Sequence, residues 1–154
     1  MDHDIWRQLT HDLGRALGEL NEGQYLILSI RGTNRFVQFA GEGSLGMLAE
    51  AASNHYLPQG EQLDDAAHCR LLQLGWWAPT HEPEESGPRA WGGSPNYFLM
   101  MEAPVDFAML AEIAVGALVS VYGAKDPRQL EYRAFSRCGD GIEFPVLGLA
   151  PAEQ

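Results

Sequence analysis

Hydrophobic positions recur along the chain with two periods, and the switches between them mark the elements. From Asp4 to Leu20, the residues Trp6, Leu9, Leu13, Ala16, Leu17 and Leu20 repeat at helical spacing. Arg7, His11, Arg15 and Glu19 fall on other faces, so an amphipathic helix is predicted, stopped by Gly23. Two β-rich runs follow, Tyr25 to Arg31 and Arg35 to Ala40, joined by Gly32-Thr33-Asn34 in a turn suited to an antiparallel hairpin. Met47 to Ser53 has helical composition, but its length and flanking turn signals also suit a third strand. A second helix is expected from Asp64 to Leu74, N-capped by Asp64 and ended by Gly75, with Trp76 and Trp77 directly behind it. Tyr97 to Glu102 reads as a buried strand leading through Pro104 into a third helix that ends near Tyr122. Leu130 to Phe135 reads as a last strand. Ile142 to Leu149, interrupted by Pro145, is expected to be an edge strand or a packed irregular segment.

Two segments depart from simple periodicity. Residues 78–95 carry prolines, glycines and glutamates with no apolar repeat, which predicts a long exposed loop; Trp91 is a large apolar group that a merely solvated loop would not need. The third helix has more apolar surface than one sheet can use. Phe107, Leu110, Ala111, Ala114, Leu118 and Val121 form the sheet-facing stripe, while Met109, Ile113, Gly116 and Ala117 lie off it. Those four residues either form an interface with another chain or a bound peptide, a homodimer among the readings, or are covered by the first helix or the C-terminal tail. Asp106 and Glu112 interrupt this apolar run, so it is not a membrane span.

Gly41-Glu42-Gly43-Ser44-Leu45-Gly46 matches the dinucleotide-binding string G-x-G-x-x-G, which requires a preceding strand, a following helix and a parallel return strand. The segment after it is too short before Asn54 and Pro58 for a crossover helix, and Glu42 would bring a carboxylate close to the phosphates. A glycine-rich hairpin turn is the expected structure. A small-molecule or nucleotide site at Gly41 to Gly46 is the alternative.

With 154 residues and 45% hydrophobic content, one domain with one proper core is expected. Twenty-one acidic residues against ten basic give a net charge of -11, which repels nucleic acid and anionic membrane surfaces and favours basic or neutral partners. The charged N-terminus does not read as a signal peptide, so a cytoplasmic location is expected. Cys69 and Cys138 lack metal-binding spacing and read as free thiols. The five histidines show no metal-ligand pattern, and His68 and Cys69 are helix neighbours whose side chains point apart. Glu82, Glu84 and Glu85 lie in a loop that would not hold the fixed separation acid/base chemistry needs. No nucleophile elbow or phosphate-binding P-loop is present, so neither an enzyme nor a cofactor or metal requirement is expected.

The stretches YLILSIRGTNRFVQFAGEG, AEAASNHYLP, LGW, SPNYF and VYGAKDPRQLEYRAF, in the order helix, three-stranded meander, helix, strand, long helix, resemble the actinobacterial TY-Chap domain. That family is related to type III secretion chaperones and to YbjN proteins. The residues carrying the resemblance are Phe39, Glu50, Asn54, Leu57, Gly75, Trp76, Pro95, Asn96 and Tyr97; the acidic loop and the Trp77 doublet depart from the pattern. The resemblance implies an α+β fold with an antiparallel sheet, makes Met47 to Ser53 the third strand, and implies a peptide-binding, chaperone-like role without catalysis. Trp76, Trp77, Trp91 and Tyr97 are the candidate contacts to a protein or peptide client, because aromatic side chains suit such anchoring. Core packing is the competing explanation for Trp76 and Tyr97. A structural or immunity-type partner protein is a further alternative.

Overall fold

A computed structural model describes residues 3–80 and 94–152. Among these residues the chain forms helices α1 (His3–Gly18), α2 (Asp65–Leu74) and α3 (Phe107–Ser120), together with strands β1 (Gln24–Ile30), β2 (Phe36–Gly41), β3 (Met47–Ala51), β4 (Tyr97–Met101), β5 (Leu130–Ser136) and β6 (Ala150–Pro151). The strands make one six-stranded sheet in the order β4-β3-β2-β1-β5-β6. Every pairing is antiparallel except that of the short β6, which runs parallel to β5. The fold is α+β.

Strand alternation divides the sheet into two unlike faces. Leu26 and Leu28 of β1, Val37 and Phe39 of β2, and Met47, Ala49 and Ala51 of β3 are buried and meet Leu13 and Leu17 of α1 and Leu110, Ala114 and Leu118 of α3 in a single core. The other face is only partly covered. The helices form where capping and apolar spacing agree. The Asp64 carboxylate accepts the Ala67 N–H at 2.8 Å, and Gly75, at φ 116°, closes α2 in a left-handed conformation that L side chains rarely adopt. Asp106 caps α3 in the same way, its carboxylate accepting the Met109 N–H at 3.0 Å. The first helix ends at Gly18 rather than Leu20, and α3 starts only at Phe107. The tail packs as an irregular segment: Phe144 and Leu147 are buried around a 3-10 turn, Pro145–Leu147, before the chain reaches β6.

The ambiguous segment Met47–Ala51 is a strand, and the glycine string is the hairpin turn that leads into it. Gly43–Leu45 forms a 3-10 turn whose ends are tied by the Glu42 N–H donating to the Gly46 carbonyl at 3.0 Å. The glycines answer to neighbouring backbone. A Cβ on Gly41 would stand 2.3 Å from the Asn21 carbonyl oxygen, and one on Gly46 would stand 2.0 Å from the Met101 carbonyl oxygen. Gly43, at φ 60°, faces only the Glu22 side chain. Gly43→Ala should therefore cost about 1 kcal/mol, and Gly46→Ala about 3 kcal/mol or more, in urea unfolding; equal costs would show that the close approach of Met101 is not the constraint.

Candidate functional site

The partly covered sheet face carries two rows of side chains running across the strands. Pairing in register aligns Phe135, Tyr25, Ala40, Leu48 and Met100 from β5 to β4, all of them partly accessible. The neighbouring row runs Arg133, Ile27, Gln38, Glu50 and Phe98. Trp77 extends this second row beyond the sheet edge: its backbone bridges Phe98 through hydrogen bonds of 2.8 and 3.1 Å. Directly opposed residues share a face, so the Trp77 ring lies on this side and meets Phe98 edge-on, with centroids 5.2 Å apart. Trp77 shields Phe98 while remaining 49% exposed itself.

A buried polar knot fixes one rim of this face. Beyond the end of β3, the Ser53 N–H donates to the Asn96 side-chain oxygen at 3.1 Å, and the Ser53 hydroxyl donates to the Pro95 carbonyl at 2.7 Å. The Asn96 N–H donates to the Ser94 hydroxyl oxygen at 3.0 Å, and that hydroxyl donates to the Glu50 carboxylate. Gln38 donates to the other Glu50 oxygen at 2.5 Å. Ser53, Ser94 and Asn96 are buried, so each of these bonds offsets a desolvation cost. The Thr80 N–H donates to the Ser94 carbonyl, and the Ser94 N–H to the Thr80 hydroxyl, both at 2.9 Å.

Tyr56, from the turn after β3, overhangs the strands and forms a groove. One cavity of about 340 Å³ is lined by Phe36, Gln38, Glu50, Tyr56, Pro95 and Asn96. A second, of about 360 Å³, shares Phe36, Gln38 and Tyr56 and continues to Ile27 and Ser29. Burial, and then the Glu50 charge, push the Tyr56 phenol above its ordinary range. A larger groove of about 520 Å³ lies between α1 and α3 on the helical side, walled by Arg7, His11, Arg15 and Glu112. Among the described residues no group of three His, Cys, Asp or Glu side chains could hold a metal ion, and no helix is long and apolar enough to cross a membrane.

Residues 2–136, which include α1 to β5 and the whole groove, match the model of the family described as T3SS (YopN, CesT) and YbjN peptide-binding chaperone 3, TY-Chap3. The chain belongs to the TY-Chap3 family. No curated protein and no solved structure matches it. The TY-Chap residues named from the sequence gather around the polar knot. Glu50, Pro95 and Asn96 are members of it, and Asn54 ties the adjoining turn by exchanging hydrogen bonds of 3.0 and 2.7 Å with the Leu63 backbone. Phe39, Leu57, Trp76 and Tyr97 are buried in the core beneath.

The aromatic residues expected to contact a client fall in different places. Trp76 and Trp77 sit on an extended stretch, so their side chains point to opposite faces: Trp76 is 2% exposed in the core, while Trp77 is on the surface. Tyr97 is buried as well, with its hydroxyl 2.6 Å from His68 Nδ1, so His68 holds Tyr97 while Cys69 faces outward. Trp91 lies outside the described residues. Of the α3 residues expected to face another chain or to be covered by the first helix or the tail, Ile113 and Gly116 lie toward the C-terminal end of α2. Ala117 is fully enclosed, Ile113 lies against Gly75, and a Cβ on Gly116 would come within 3.1 Å of Leu74; Met109 is the one of the four that is exposed, at 50%. Tyr56 and the outward row of the sheet were missed, although Ile27, Phe36, Ala40 and Leu48 could have shown that both strand faces are apolar.

The knot should carry stability. Asn96→Ala leaves the buried Ser53 N–H without its acceptor and should cost about 2 kcal/mol in urea unfolding, whereas a change below about 0.5 kcal/mol, the scale of a surface substitution, would show that the knot is dispensable. Tyr122 gives a pH signature. Its hydroxyl donates to the Ala52 carbonyl at 2.7 Å, and burial raises its pKa well above the ordinary 10.0. The folded phenol stays neutral where the unfolded one ionises, so its contribution is fully present below about pH 10 and falls as pH rises further. Tyr122→Phe should cost about 1 kcal/mol at pH 7 and flatten the alkaline decline in a pH series of denaturant midpoints.

Proposed function

We propose that this protein binds an extended, apolar segment of a client polypeptide across the open face of its sheet, without covalent chemistry. The observation that carries the reading is the row Phe135, Tyr25, Ala40, Leu48 and Met100, five partly accessible side chains on a face that no helix among the described residues closes. The family's peptide-binding description supports it. An extended segment presents alternate side chains to one side, so apolar anchors spaced by two residues match a sheet surface. Trp77, exposed at the β4 edge, is the proposed aromatic anchor; Trp91 is proposed as a second one on its sequence surroundings alone.

The net charge of -11 favours basic or neutral segments and argues against nucleic acid and anionic membrane surfaces as partners. Two exposed free cysteines suit a reducing compartment such as the cytoplasm. The nucleotide alternative is disfavoured by the glycine string itself, because the spaces at Gly41 and Gly46 are taken by the protein's own backbone.

A labelled decapeptide of alternating leucine and threonine, followed by fluorescence anisotropy, tests the site. The wild-type protein should bind it, and Met100→Glu and Trp77→Ala should each weaken binding by about tenfold or more while leaving the melting temperature within about 3 °C. Binding that survives both substitutions would move the client to another surface.

A further inference from the structure

We propose that the cavity between Tyr56 and Glu50 receives a cationic side chain, lysine or arginine, from the client segment; the proposal rests on the client lying across the open sheet face. The lining combines one carboxylate, Glu50, with two aromatic rings, Phe36 and Tyr56, and the side-chain amides of Gln38 and Asn96. A cavity of about 340 Å³ is at the small end of ligand pockets, which span about 300–1,000 Å³, and so suits a side chain better than a whole cofactor.

The state of Glu50 gives the cavity its sign. Its oxygens accept from Gln38 and Ser94, both neutral donors, and among the described residues no lysine or arginine forms an ion pair with it. Arg133 belongs to the same cross-sheet row, but Ile27 and Gln38 stand between. Strands about 4.8 Å apart put its backbone about 14 Å away. An apolar client laid over this partly buried carboxylate would strip its remaining water and leave the charge uncompensated, which is costly. A client that brings a cation removes that penalty. Phe36 and Tyr56 supply ring faces to which an ammonium or guanidinium is attracted, and the net charge of -11 draws basic segments toward the molecule. The adjoining cavity, running to Ile27 and Ser29, would take the apolar neighbour of the cation along the same segment.

Three labelled decapeptides of alternating leucine and threonine, with a central lysine, arginine or norleucine, separate the possibilities. The lysine and arginine peptides should bind the wild-type protein about tenfold more tightly than the norleucine peptide, and the tighter of the two names the preferred side chain. Glu50→Gln should erase that preference, weakening the lysine and arginine peptides and tightening the norleucine peptide, whose uncompensated-carboxylate penalty it removes. Because Glu50 belongs to the polar knot, Tyr56→Ala, at an exposed ring, gives a second test: it should reduce the preference about fivefold with the circular dichroism spectrum unchanged. If Glu50→Gln does not fold, the Tyr56 variant decides alone, and an undiminished preference overturns the site. Equal wild-type affinities for all three peptides, or a preference that survives Glu50→Gln, overturn the cation site and leave the sheet-face reading standing. Failure of all three to bind overturns both. A wild-type dimer in sedimentation that Tyr56→Ala dissociates assigns the groove to a second copy and overturns the proposal.

Discussion

The buried knot of Ser53, Ser94, Pro95 and Asn96, with Glu50 at its margin, is the constraint on which the exposed face depends. It joins the end of β3 to the start of β4, two points far apart in sequence, and so fixes where the edge strand lies. Once β4 is set, Phe98 stands opposite Glu50, and the Trp77 bridge to Phe98 places the exposed indole. The same bonds orient the Glu50 carboxylate along the groove. Buried hydroxyls and amides are costly when unpaired, so a network that satisfies them specifies one arrangement of the rim rather than several. Tyr122 adds a tie from the helical side, its hydroxyl reaching the Ala52 carbonyl next to the knot.

The glycine string shows how a motif can be present without its chemistry. A dinucleotide loop uses glycines so that a pyrophosphate can approach the backbone. Here the approaching groups are the carbonyls of Asn21 and Met101, and the turn joins antiparallel strands instead of leading into a crossover helix. The requirement for small residues is the same in both cases; the occupant of the space differs.

Local rules made much of the fold legible in advance. Asp64 and Gly75 bracket α2 because capping is decided within a few residues, and the hairpin of β1 and β2 follows from a turn between alternating runs. Met47–Ala51 could not be assigned by propensity, since its alanines and leucine favour a helix; its pairing with both β2 and β4 overrides that preference. The site was less legible. Trp76 and Trp77 look equivalent in sequence, and only the extended backbone after Gly75 separates a core residue from a surface one. Helical periodicity marked Ile113 and Gly116 as off the main stripe but could not say that α2 would lie there. Most of the knot joins residues more than forty positions apart, a separation at which sequence pattern carries no signal.

The paired hydrogen bonds between Thr80 and Ser94 have a consequence for how this scaffold varies. They join residues 80 and 94 at the sheet edge, so these two anchor points are held together by their own hydrogen bonds. Closing a longer loop between fixed ends costs only about 0.6 kcal/mol for each doubling of its length. The Thr80–Ser94 pair is therefore a point at which the framework would tolerate a longer connection at low entropic cost.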